Sequence, residues 1–155
     1  MKIRLLTFSL VSALLVLPVL HAQDAGPKKM GPKDDTTPLG EQMDKIGGAF
    51  KKLAKQITDA TKNEDSLKLA ATIKAAATKG LEFEPEKKAD IPVGDQAKFV
   101  ADFRAKLKEF IGVVDKLTAS LQANDNATAA KVLDEMKNER KEGHKAFEKE
   151  KPKKG

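Results

Sequence analysis

The chain has 155 residues, 34% of them charged, with 29 Lys and Arg against 23 Asp and Glu and no cysteine, tryptophan or tyrosine. Without cysteine there can be no disulfide, no haem attached through C-x-x-C-H and no thiolate metal site. The basic excess sits mainly at the two ends, in Lys2 and Arg4 and in Lys151, Lys153 and Lys154, and not in a patch interleaved with aromatics, which argues against nucleic acid as a partner.

The opening stretch MKIRLLTFSLVSALLVLPVLHA joins a basic start to an apolar run from Leu5 to Leu20 and ends on the small residue Ala22. It reads as a secretory signal over residues 1–22, cut between Ala22 and Gln23. Removing these 22 of the 155 residues leaves 133, one domain by length. A periplasmic destination with no stable membrane anchor after cleavage follows. Residues 23–37, QDAGPKKMGPKDDTT, are rich in Gly, Pro and balanced charge and read as a flexible linker. Residues 151–155, KPKKG, form a basic tail.

The bundle domain is expected over residues 38–150. Thr37-Pro38 predicts a helix start, Thr as N-cap and Pro at the first helical position. Leu39, Met43, Ile46, Phe50, Leu53 and Ile57 then recur at helical spacing and predict one buried face running to Ile57. NEDS at residues 63–66 is read as the turn and cap of a second helix, with Leu67, Ala70, Ile73 and Ala77 inward and Gly80 as the residue just past its end. The connection LEFEPEKKADIPVG is long for a helix–helix link. Asp95 is expected to cap a third helix, whose stripe is Phe99, Phe103, Leu107, Phe110, Val114, Leu117 and Leu121. NDN at residues 124–126 is a tight turn, and the fourth helix carries Ala129, Leu133, Met136, Arg140, Gly143 with His144, and Phe147. Four amphipathic helices without a strand pattern predict an all-α, antiparallel up-down-up-down four-helix bundle.

In that topology the start of the first helix, the long connection, the start of the third helix and the end of the fourth share one end. Met43 and His144 then lie at similar height on facing helices, lined by Ile46, Phe103 and Leu107. A methionine on such a stripe is ordinarily core, and a lone helical histidine is ordinarily a partly buried filler. Their coincidence at one end, however, matches the thioether and imidazole that can ligate a haem iron from opposite sides. Other chemistry fits less well. His144 is the only histidine outside the signal, no serine has nucleophile-elbow glycines, and position 141 is Lys141 where a Glu-x-x-His di-iron motif needs Glu. The protein is therefore not expected to be an enzyme, and His144 with Glu148, four residues apart, reads as a surface pair.

From PLGEQMDKIGGAFKKLAKQI to KNERKEGHKAF the chain resembles the cytochrome b562 family of periplasmic haem bundles, most closely in EQMDKI, in IKAAA and from DFR at residue 102 to His144. The resemblance implies one non-covalent haem b per chain, with Met43 and His144 as axial ligands and Phe103 as a contacting aromatic. It also implies a monomer that exchanges electrons with a periplasmic redox partner. Arg140 falls on a position that is arginine in the best-known member, where it could neutralise a haem propionate. Two residues depart from that member: Leu107 replaces a second phenylalanine and Gly143 replaces a tyrosine. The alternative is a haem-free envelope bundle in which Met43 and His144 are core residues and the domain binds partners or unfolded clients.

Overall fold

Thr37 accepts a hydrogen bond from the Gly40 N–H at 3.2 Å and Pro38 occupies the first helical position, so helix α1, Pro38–Leu53, starts where Thr-Pro predicts. The computed structural model describes residues 37–149, in which three further helices follow: α2, Asn63–Gly80; α3, Gln96–Gln122; and α4, Asn126–Phe147. The expected signal over residues 1–22, residues 23–36 of the expected linker and the tail 151–155 lie outside the described residues.

Three expected boundaries are corrected. Helix α1 ends at Leu53, one turn before Ile57, because Lys55 and Gln56 direct their N–H groups to the carbonyls three residues back, at 3.1 Å each. That tighter winding turns the chain, yet Ile57 remains buried beneath it. NEDS does not supply the cap of α2. Asp59 caps a one-turn 3-10 helix, Ala60–Lys62, by accepting from the Thr61 N–H, and α2 follows directly, with Glu64 and Asp65 in a first turn whose dipole favours acids. Asp95 stands at the head of α3 but makes no capping hydrogen bond; Gln96 instead donates through its side-chain amide to the Ile91 carbonyl at 3.0 Å.

The turn into α4 is as expected. Asn124 takes a left-handed φ of 55°, which asparagine tolerates better than most residues, and Asp125 accepts from the Thr128 N–H at 2.9 Å.

The helices run antiparallel, as contacts at the two ends show. At one end the last residue of α2, Gly80, lies beside Leu39 and Met43 of α1 and Leu107 of α3, while Phe147 of α4 meets Phe99 and Phe103 of α3. At the other end Asn126 donates to the Ile57 carbonyl at 2.6 Å and to the Asn63 side chain at 2.8 Å, and Asn63 donates back to Asn124 at 3.0 Å. Between the ends, Leu53, Ile73, Val114, Leu117, Leu121 and Met136 fill a core closed to solvent. Each large side chain so buried contributes about 1.5–3 kcal/mol before the entropy of ordering it is counted. Close backbone approach runs along α1–α2, α2–α3 and α3–α4. The fourth side, α1 against α4, has no such run and is bridged instead by a side chain, Arg140 over Phe50.

Candidate functional site

Gly80 shows how closely three helices meet beneath this fourth side. It does not end α2 from a left-handed conformation, as a glycine past the helix end would; it is helical and buried. A Cβ there would lie 3.1 Å from Leu107 Cδ2, 3.4 Å from Met43 Cε and 3.6 Å from Leu39 Cδ1. The missing side chain therefore lets the half-buried Met43 fold its methyl against α2 and next to Leu107. Leu107 and Ile46 are both buried, and Phe103, also buried, takes the Phe147 ring edge-on with centroids 5.4 Å apart. Phe147 also packs against Phe99 at 5.3 Å, so the last residue of α4 closes an aromatic cluster on α3.

Arg140 sits half-buried on the inner face of α4. Its Cζ lies 4.6 Å from the centroid of the Phe50 ring, and Nη2 is 3.9 Å from the point a Cβ of Gly47 would occupy. Burial pushes its pKa down, and no charged partner offsets that among the described residues. Side chains on a helix lean towards its N-terminus, which for Arg140 means down the bundle and away from the Met43 end. The guanidinium thus lies over Phe50 and not at the bundle rim.

This contact sets the relative height of α1 and α4. With the helices antiparallel, the chain beyond Arg140 in α4 and the chain before Gly47 in α1 run to the same end of the bundle, the end that holds both His144 and Met43. His144 is about 40° around α4 from Arg140 at 100° per residue, on the side away from Glu139, which faces α3 through Lys106 at 3.5 Å. It therefore lies on the α1 side. Its ring is exposed, with Nδ1 2.5 Å from Glu148 Oε2, and the two side chains are about equally open at 48% and 51%. The surface pair expected from the spacing is present. A carboxylate at Nδ1 favours the tautomer whose proton is on that nitrogen, which leaves the Nε2 lone pair for another partner.

Of the residues singled out in the sequence, Met43 and Leu107 converge at Gly80, Ile46 and Phe103 belong to the same core, and Arg140 links α4 to α1. The structure does not bring Met43 and His144 together: the Met43 methyl lies against α2 beside Leu107, and the exposed His144 ring is paired with Glu148. Phe147 is legible in the sequence only as a stripe position; an aromatic two turns beyond an inward arginine is the signal that places it. A separate shallow groove of about 430 Å³, lined by Glu84, Lys88, Val93, Gln96, Val100 and Arg104, lies under the α2–α3 connection and involves none of these residues.

These features define a four-helix bundle in which the two helices that carry one thioether and one imidazole, α1 and α4, are the adjacent pair without close backbone packing. The chain belongs to the cytochrome b562 family, whose model matches residues 38–148, essentially the whole described bundle. No curated protein and no solved structure matches it. The family is one of haem-binding helical bundles that act as electron carriers and not as enzymes.

Proposed function

We propose that the protein is a periplasmic electron carrier holding one non-covalent haem b between α1 and α4, with Met43 and His144 as axial ligands. The observation that supports this reading is that α1 and α4, the helices that carry Met43 and His144, form the side of the bundle without close backbone packing. Among the described residues no group of three His, Asp or Glu side chains could hold a metal on its own. Two axial donors suffice only if a macrocycle supplies the other four, so the donor set fits a haem iron and not a bare ion.

When bound, the haem supplies a one-electron ferric/ferrous couple. The chain's own residues do the rest. Met43 offers a soft thioether, which favours ferrous iron and raises the potential. His144, held at Nδ1 by Glu148, offers Nε2. Ile46, Phe103 and Leu107 exclude water from the floor of the seam. Arg140 carries a partly desolvated positive charge over Phe50, without an acidic partner among the described residues, close to where the haem would enter the bundle. No helix among the described residues is long and apolar enough to cross a membrane, and the basic, apolar, small-residue order of residues 1–22 supports export.

One observation favours the haem-free reading: Met43 packs beside Gly80 and His144 pairs with Glu148, so both ligands have ordinary partners. Absorption spectra of the purified protein, oxidised and reduced, and after titration of the haem-free form with haemin, decide between the two. Stoichiometric uptake with a low-spin six-coordinate spectrum is expected. Failure to take up haemin would overturn the carrier reading.

A further inference from the structure

Lys87 lies on a short 3-10 helix, Glu86–Asp90, in the connection between α2 and α3, yet its Nζ donates to two backbone carbonyls 58 and 59 residues away: Lys145 at 3.3 Å and Ala146 at 2.9 Å. Every α-helix leaves its last carbonyls without an intrahelical donor. In α4 the His144 carbonyl is taken by the Glu148 N–H at 3.0 Å, and the next two are taken by this lysine, whose charge also suits the negative end of the helix dipole. A second contact from the same segment, Asp90 with Lys149 at 3.6 Å, holds the chain just beyond the helix. Such outside support matters here because Gly143, one residue before His144, is a weaker helix former than alanine.

We propose that Lys87 clamps the last turn of α4 and is thereby a positioning residue for His144, which makes the α2–α3 connection a working part of the site. The clamp is independent of any bound group; its consequence for haem rests on the function proposed above. Without the ammonium, two carbonyls turn to water, the turn opens at Gly143, and the imidazole is no longer held at the seam.

The test compares wild type with Lys87→Met, which keeps most of the stem, Lys87→Arg, which restores a donor, and Lys88→Met, which removes a like charge from the same segment but from an ion pair with Glu84. Amide hydrogen exchange on the haem-free protein should be about three- to tenfold faster for residues 145–148 in Lys87→Met alone, as loss of exposed hydrogen bonds to one helix end allows. Haem dissociation should accelerate in the same variant and recover in Lys87→Arg, with the absorption spectrum of the bound fraction shifted towards weaker imidazole ligation. Unchanged exchange in Lys87→Met would overturn the clamp. Faster exchange with unaltered haem dissociation and spectrum would overturn the positioning role. If wild type took up no haem, the proposed function would fail, and the clamp would stand or fall on the exchange data.

Discussion

The guanidinium of Arg140 lies over the face of Phe50, 4.6 Å from the ring centroid, and spans the one side of the bundle where the helix backbones do not run close together. A cation on an aromatic face contributes about 0.5–1 kcal/mol where partly exposed. Arg140→Leu should therefore change the stability of the haem-free protein by less than about 1 kcal/mol, since leucine keeps apolar contact with Phe50. Haem affinity should fall several-fold, with the ligation spectrum unchanged. Denaturant melts and haemin titrations measure the two separately, and complete loss of haem would show that the arginine has a larger role than balancing charge.

The methionines provide internal controls. Met43→Ala should convert a low-spin six-coordinate haem to a largely five-coordinate one and lower its potential, and His144→Ala should release most of it. Met136 is fully buried on the helix that bears His144, and eight residues at 1.5 Å place it about 12 Å away. Met136→Leu should cost less than about 1.5 kcal/mol and leave the spectrum alone. A spectrum identical in wild type and Met43→Ala would remove Met43 from the ligand set.

Two glycines should respond differently to alanine. A Cβ on Gly143 would meet nothing within 4 Å, so Gly143→Ala should stabilise the protein by about 0.5–1 kcal/mol through helix propensity alone. At Gly80 the added methyl meets Leu107 at 3.1 Å and Met43 at 3.4 Å. Both are flexible side-chain ends that can give way, so the stability cost should stay near 1 kcal/mol, at the low end for overpacking. The displaced Met43 should nevertheless lower the low-spin fraction on haem titration. Denaturation midpoints check the first variant, and visible spectra the second.

At the far end of the bundle, Asn126→Ala would leave the Ile57 carbonyl and the buried Asn63 side chain without their donor. A loss of about 1–3 kcal/mol is expected, as for other buried groups left unpaired. Haem binding, at the opposite end, should keep its spectrum. A spectral change without a stability change would contradict this division of the molecule.

Stability should also fall in acid. Hydrogen bonds from Thr128 to Asp125 at the head of α4, and from Thr61 to Asp59 before α2, hold both carboxyls below their ordinary pKa. A depressed folded-state pKa contributes stability that is present above the unfolded value and is lost as pH drops through the folded one. Denaturation midpoints should therefore decline as pH falls through and below the usual aspartate range. Asp125→Ala should show a smaller decline than wild type across that interval.

Much of the architecture is written in local pattern. Thr37-Pro38, the four apolar stripes and the NDN turn are short-range signals, and each corresponds to an observed start, face or reversal because capping, side-chain periodicity and left-handed φ are properties of a few neighbouring residues. The placement of Met43 and His144 on facing helices needed only the order and direction of those helices.

Tertiary structure decided what depends on residues far apart in the chain. Periodicity carried α1 on to Ile57, but the chain turns earlier and Ile57 is reached by the Asn126 side chain from 69 residues away. Gly80 looked like a helix stop, while its role is to admit Leu107 and Met43, from two other helices. The direction of Arg140 followed from the nearness of Phe50, and the hold on the last turn of α4 came from Lys87 in a connection with no apolar period of its own. The energies of these contacts are set by which groups meet across the bundle, and no window of neighbouring residues contains them.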